Sequence, residues 1–333
     1  MQTIRWGVLA PGRIAHSFAK DLALVPDGEL VATGSRSTER ATTFADAYGG
    51  RAHGSYAALV EDPDVDVVYV ASPHALHAEH VLLALDAGKP VLCEKPLTLD
   101  AGSAEELFAA AESRGLFLME AMWTACHPTI RTLLRLLADG DHGSARQVHA
   151  DLGFVVRADP EDRLLDPDLG AGALLDMGIY PLTLAELVLG EPSELRGVAH
   201  RSPSGIDLDV AIAGLYPGGG TAALTASMTS HSPRTATVAT EVGCFELGRG
   251  FHHPERLRWT PYDEGAGDAP GEPQWIEPDE AVIGKGYGNE IAEVHACLRA
   301  GRLTSELVPP ARTLSLLRQM DELRRQVGVS YRR

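Results

Sequence analysis

The sequence predicts an α/β protein of two domains: an N-terminal, doubly wound parallel sheet over residues 1–122 and a C-terminal α+β domain over 123–333 with a large, mainly antiparallel open sheet. Three observations predict it. The first third of the chain alternates short apolar, β-branched runs with helical patterns, the rhythm of βαβ units. Those runs are nearly all apolar, as parallel strands buried on both faces must be. After Trp123 the runs lengthen and several alternate polar with apolar residues, which marks an antiparallel sheet with one face solvated or used for association.

Taken in order, the elements are the strand TIRWGVLA, the helix RIAHSFAKDLALV, the strand ELVATGS and the helix STERATTFADAYG. VDVVYVAS (65–72), HALHAEHVLLALDAG (74–88), PVLCEK (90–95), a helix over 102–113 and LFLMEAM (116–122) complete the first domain. The second begins with the helical stretch PTIRTLLRLLADG. It continues through the strand-like runs ARQVHADLGFVV, ELRGVAHRS, DLDVAIAGLY and TAALTASMTS. Helices over 288–301 and 311–328 close it, and the Gly- and Pro-rich stretch 261–273 reads as a surface loop.

A chain of 333 residues with 44% hydrophobic content buries a sizeable core without disulfide staples. Its formal charge of -17 argues against nucleic acid or an anionic membrane as partner, because both need a dense basic face. A small neutral molecule fits better. Cys93, Cys126, Cys244 and Cys297 form no C-x-x-C pair, so they read as reduced thiols. The N-terminus lacks a signal-peptide pattern and no uncharged run approaches the roughly 20 residues that span a bilayer; a cytoplasmic protein is expected.

Gly7, Gly12 and Ala15 stand where the first strand turns into the first helix, with Arg13 and Ile14 between, so backbone amides at the helix start can meet a pyrophosphate. The fingerprint G-x-G-x-x-G/A of a Rossmann dinucleotide site appears with its first glycine replaced by Ala10, followed by Pro11. NAD enzymes place an acidic residue about 20 positions on to hold the ribose hydroxyls, and none is present. Ser35, Arg36 and Arg40 stand there instead, which suits a 2′-phosphate and favours NADP over NAD. Surface charges at a helix start are the alternative reading of the two arginines.

Glu94-Lys95-Pro96 ends the strand-like run PVLCEK, at the carboxyl edge where open parallel sheets place ligands. Asp176 and Tyr180 are four apart in GAGALLDMGIYPLTLAELVLG (170–190), so a helix there projects both from one face, with Pro181 kinking or restarting it. A half-buried tyrosine satisfied by an aspartate explains that pair equally well.

Together with WGVLAPGRIA, SRSTERA, VYVASPHALH, AGKPVLCEKPLTLD, LMEAMWT, LDPDLGAGALLDMGIYP and GYGNEI, these segments make the chain resemble the Gfo/Idh/MocA oxidoreductases, nearly end to end. Within the family it resembles the branch of dimeric dihydrodiol dehydrogenases and NADP-dependent D-xylose dehydrogenases. The resemblance implies that Lys95 is the catalytic lysine and that Asp176 with Tyr180 forms the D-x-G-x-[His/Tyr] pair. It also implies that Ser72, His74, His77 and Glu94 line the cofactor and that Trp123 and Phe154 lie near the substrate. No third ligand accompanies the two histidines, so no metal is expected. The chain departs from the branch at Ala10, and at Ala125, where the branch carries arginine after Trp-Thr.

On this reading Tyr180 takes the proton of a substrate hydroxyl while hydride leaves the same carbon for the nicotinamide, and Lys95 favours the phenolate. Lys95 as the acid/base is the other microscopic assignment. Asp176 orients the hydroxyl or the lysine. The expected substrate is a sugar, cyclic polyol or trans-dihydrodiol. A reductase of keto-sugars, anhydrofructose or a nucleotide-linked sugar, is the alternative, although only scattered arginines, Arg157 and Arg163 among them, are available for a nucleotide. A non-catalytic dinucleotide-binding sensor is the alternative of another class. The alternating strands leave a sheet face available for pairing, and the resemblance implies a homodimer built through the C-terminal sheet, with a tetramer as the alternative.

Overall fold

A computed structural model of the chain describes residues 3–157, 164–262 and 269–331. Two compact units result, Met1–Cys126 with Ile283–Leu317, and His127–Val282 with Arg318–Arg333.

In the first unit the elements follow in order as β1 (Ile4–Leu9), α1 (Arg13–Leu22), β2 (Gly28–Gly34), α2 (Thr38–Tyr48), β3 (Arg51–His53) and α3 (Tyr56–Val60). Then come β4 (Val67–Val70), a 3-10 turn (His74–Leu76), α4 (His77–Asp86), β5 (Val91–Glu94), α5 (Ala101–Arg114), β6 (Leu118–Ala121) and α6 (Trp123–Cys126). All six strands are parallel, in the order β3-β2-β1-β4-β5-β6. This is the doubly wound Rossmann sheet, whose strand order reverses between β1 and β4 and so opens a crevice at their carboxyl ends. Every residue of β4, β5 and β6 is buried, which is why these strands read as unbroken apolar runs. Side chains start the helices where the pattern turns: Ser37 accepts from the Arg40 amide, Ser55 from Ala58 and Asp100 from Ser103.

The second unit holds α7 (Pro128–Asp139), β7 (Ala145–Gly153), α8 (Ile179–Leu189), β8 (Glu194–Arg201), β9 (Asp207–Leu215), β10 (Thr221–Ser227), β11 (Ala236–Thr240), β12 (Gly243–Leu247), β13 (Leu257–Pro261) and β14 (Gln274–Ile276). They form an eight-stranded sheet ordered β14-β13-β12-β11-β7-β10-β9-β8. Its pairs are antiparallel except β7 with β10. Alternation on β9 and β10 buries Val210, Ile212, Ala222 and Leu224 and leaves Ala211, Ala213, Leu215, Thr221, Ala223 and Thr225 exposed. Helix α8 packs against β7 and β10. The apolar stretch Pro167–Leu189 is 23 residues long, enough to cross a membrane by composition, but it is 78% buried and carries Asp176 and Glu186, the profile of a core helix. Residues 263–268 of the expected 261–273 loop, and Arg163, lie outside the described residues.

Helices α9 (Tyr287–Arg299) and α10 (Pro310–Val327) end the chain. Segment Ile283–Leu317, assigned to the second domain on sequence, joins the first unit. Its reasons are long-range. Asp21 of α1 accepts from the amides of Lys285, Tyr287 and Gly288 at 2.8, 3.0 and 3.4 Å, capping α9 from outside the helix. The Trp6 indole donates to His295 Nε2 at 2.9 Å, and Thr313 Oγ1 donates to Glu120 at 3.0 Å.

Candidate active site

The turn after β1 has the backbone of a dinucleotide site. Ala10 takes φ +65, the left-handed conformation for which the fingerprint ordinarily uses glycine, and its amide donates to Gly34 O at 3.0 Å. Gly12 follows as the N-cap of α1, and its amide closes the turn on Ala10 O at 2.7 Å. Helix α1 has neither a side-chain cap nor an acidic residue in its first turn, so the positive end of its dipole at exposed Arg13 and half-buried Ile14 is left for an anion. Gly7 plays a different part from the one expected: it lies inside β1, where a Cβ would meet Val65 Cγ1 at 3.0 Å and Leu59 at 3.2 Å. Its glycine permits close packing beneath the sheet.

A left-handed alanine costs roughly 1–2 kcal/mol relative to its relaxed state, more than the extra chain entropy of glycine. Ala10→Gly is therefore expected to stabilise the protein by about 1 kcal/mol in urea unfolding; a destabilised variant would contradict the assigned backbone.

At the end of β2, Ser35 is buried and its Oγ accepts from the Ser37 amide at 3.2 Å. Beside it, Pro11, His16, Ser37, Glu39, Arg40, Thr43 and Phe44 line a cleft of about 290 Å³. Arg40 is exposed, and His16 is held by Tyr48 through Nδ1 at 3.0 Å with its ring 4.9 Å from Phe44. Arg36 is exposed and lies outside that lining. His16 carries no sequence signal of its own, since only the fold sets α1 beside α2.

The loops after β4 and β5 are stitched together. His77 is wholly buried, and its ring nitrogens each stand 2.8 Å from a carbonyl oxygen, Nδ1 from Pro96 and Nε2 from Ser72. It fixes the two loops relative to each other and presents no surface to a cofactor. Ser72 Oγ pairs with Nδ1 of His80, whose pKa is lowered by burial. His74 is also buried, edge-on to His77.

Lys95 closes β5 at 8% exposure, ahead of a cis peptide to Pro96. Glu94 accepts from the Tyr69 hydroxyl through Oε1 and from the Lys95 amide through Oε2 at 3.3 Å. Glu120 of β6, unmarked in the sequence, accepts from the Leu97 amide at 2.9 Å, and while burial raises its pKa the Lys95 charge lowers it. Glu290 of α9 is fully buried, with neither oxygen hydrogen-bonded among the described residues. Burial and the charges of Glu94 and Asp21 push it well above the carboxylate range. Trp123 is 6% exposed and stacks on Tyr287, ring centroids 4.3 Å apart and 6° from parallel, so one of its faces is taken by packing.

In the second unit a π-turn over Leu174–Gly178 carries Asp176, and α8 restarts at Ile179 with Tyr180 and Pro181 in its first turn. The widened turn is what Pro181 requires, because its ring clashes with a carbonyl four residues back in an α-helix. Tyr180 is 9% exposed and its ring lies 4.7 Å from His252, which in turn packs on His253 at 4.5 Å. The consecutive histidines of GFHHPE, 250–255, were the available signal for this neighbourhood. His127, close to His253, is lowered to about 4 by burial first and by that neighbour second. Phe154 is half-buried just past β7, with Arg234 over its ring at 5.3 Å. Among the described residues no cluster of three His, Cys, Asp or Glu is arranged to hold a metal ion.

Residues 4–122 match the model of the oxidoreductase family with an NAD-binding Rossmann fold (GFO/IDH/MocA), and residues 130–246 match the GFO/IDH/MocA C-terminal domain. The chain is 34% identical to trans-1,2-dihydrobenzene-1,2-diol dehydrogenase of Mus musculus, covering 98% of both chains. It is also 34% identical to the NADP(+) D-xylose 1-dehydrogenase of Hypocrea jecorina, over 99% of this chain and 93% of that one. Among solved structures, a 3-ketoreductase from Actinomadura kijaniata with NADP and TDP-benzene superposes with a TM-score of 0.87 at 30% identity, covering 98% of each chain. An aldose-aldose oxidoreductase from Caulobacter crescentus complexed with glycerol gives 0.87 at 25% identity and the same coverage.

Proposed function

The chain belongs to the Gfo/Idh/MocA family and is an NAD(P)-dependent oxidoreductase, and from that premise we propose that it uses NADP to oxidise or reduce a CH–OH carbon of a small, neutral, polyhydroxylated substrate, a sugar or a diol. The relatives named for a trans-dihydrodiol, for D-xylose and for an aldose support the substrate class. A keto-sugar is the second substrate reading, favoured by the likeness to a 3-ketoreductase.

The observation that carries the cofactor choice is the cleft where Arg40 and Ser37 stand beside the phosphate turn: β2 itself ends without a carboxylate, and the one carboxylate of the lining, Glu39, lies on α2 next to Arg40. The residues fit the dinucleotide: the Ala10 turn and the amides of Arg13 and Ile14 for the pyrophosphate, Ser35, Ser37 and Arg40 for a 2′-phosphate, and the Ser72 and Glu94 loops for the nicotinamide half. When bound, NADP supplies the hydride acceptor, or NADPH the donor. The chain's own work is the proton: Tyr180 takes it from the substrate hydroxyl or returns it to the carbonyl, Lys95 supplies the positive charge a phenolate needs, and Asp176 orients the hydroxyl. We propose a homodimer formed through the exposed face of the eight-stranded sheet, in the cytoplasm.

Titration with NADPH and NADH, followed by nicotinamide fluorescence, tests the cofactor reading. NADPH is expected to bind at least tenfold more tightly, about 1.4 kcal/mol, and Arg40→Ala to erase most of that preference while leaving NADH affinity unchanged. Equal affinities in the native protein would overturn it.

A further inference from the structure

We propose that Asp207 and Tyr331, at the start of β9 and at the end of the described chain, are positioning residues for the proton-transfer pair, holding the turn that carries Asp176 and launches Tyr180. The inference rests on the reading of Asp176 and Tyr180 given above.

The turn is an irregular piece of backbone that needs outside support. It opens at Gly172, whose φ of +143 excludes a side chain, and passes directly into the π-turn. A π-turn leaves backbone groups displaced from their usual partners, and such turns persist where surrounding structure over-determines them. Asp207 provides that support: it is wholly buried, and Oδ2 accepts from the Leu174 amide at 2.6 Å, at the first residue of the π-turn. Gly172 shows how closely the supports approach. A Cβ built there would stand 2.3 Å from Asp207 Oδ1 and 3.0 Å from the Tyr331 hydroxyl, so both polar atoms lie directly over the α-carbon.

Those two atoms are themselves buried and have no hydrogen-bond partner among the described residues. Burial accordingly raises Asp207 to about 6 and raises Tyr331, and the Asp176 carboxylate contributes to the rise at Tyr331. Arg324 of α10 sits over the Tyr331 ring at 4.9 Å. Asp207 and Tyr331 thus close on the turn at Gly172 and Leu174, with Arg324 stacked behind the tyrosine. A hydroxyl and a carboxylate there cost desolvation that an apolar pair would avoid. Their position against one catalytic turn is what they provide.

The test uses the full-length protein and steady-state kinetics with a turned-over sugar or diol. Asp207→Ala and Tyr331→Phe are expected to lower kcat, the first by on the order of 10- to 100-fold because small displacements of a reacting group are that costly. NADPH affinity and substrate KM should stay within about twofold. Asp207→Asn, which keeps an oxygen for the Leu174 amide, is expected to restore most of kcat, a rescue that a loss of general stability would not show. Should Asp207→Ala fail to fold, Tyr331→Phe and Asp207→Asn carry the comparison. Wild-type kcat in folded Asp207→Ala and Tyr331→Phe, alongside an inactive Tyr180→Phe, would overturn this inference alone; an active Tyr180→Phe would overturn the underlying reading and the inference with it.

Discussion

Tyr180→Phe is expected to lower kcat by roughly 100- to 10,000-fold while leaving NADPH affinity nearly unchanged. The substitution removes one oxygen and keeps the ring, so packing against His252 at 4.7 Å and the first turn of α8 are preserved. What disappears is the group proposed to exchange a proton with the substrate oxygen. Hydride leaving a carbinol carbon without loss of that proton generates a protonated carbonyl, which is why the cost falls on the chemical step. A folded Tyr180→Phe retaining more than about a tenth of native kcat would remove tyrosine from the proton-transfer role.

Lys95→Met is expected to cost on the order of 100-fold near neutral pH, with a characteristic pH signature. A free phenol titrates near 10, and a neighbouring ammonium favours its ionised form. On the proposed pairing of Lys95 with Tyr180, removing that charge moves the ionisation upward, so oxidation by the variant is expected to rise with pH through a range where the native enzyme has already levelled off. The methionine stem fills the space of the lysine stem at the end of β5, but Glu120 loses the cation that offsets its burial and becomes easier to protonate. The signature separates the two microscopic assignments: recovery at high pH places the proton on Tyr180, whereas a loss that no pH restores places it on Lys95. Native kcat across the whole pH range would contradict both.

The parts of the molecule that were legible in the sequence are those encoded by local period. Continuous apolar runs located β1, β2, β4, β5 and β6, and helical patterns located α1, α2, α4 and α5, because burial on both faces or along one stripe leaves its mark residue by residue. The short β3 and α3 were passed over: three exposed or half-buried residues and one turn of helix are too brief for a period to show. The strands β11 to β14 escaped for a similar reason, being short pieces separated by turns.

Contacts between distant segments left no local trace at all. Asp21 capping α9, or Trp6 bonding to His295, cannot be read from either segment separately, and so nothing in the sequence of Ile283–Leu317 shows that it groups with the first unit. The same limit governs the candidate site. Glu94, Lys95, Asp176 and Tyr180 stand out in the sequence through motif and spacing, whereas the seating of His77 between the Pro96 and Ser72 carbonyls has no local signal. Ala10 is the instructive exception. Its departure from glycine is visible in the sequence, but that the backbone keeps φ +65 and accepts the strain in an alanine is not.

The most direct measurement follows an isotope. Sugars, cyclic polyols and trans-dihydrodiols deuterated at the carbinol carbon would be incubated with the protein and NADP, and the reduced nicotinamide examined by mass spectrometry. Transfer of one deuterium, as deuteride, to the nicotinamide from at least one member of the panel is the expected result, and it would be lost in Tyr180→Phe. NADPH bound tightly, with no label transferred from any member and none returned from labelled NADPH to the corresponding carbonyl compounds, would contradict an oxidoreductase of sugars or diols and leave a dinucleotide sensor in its place.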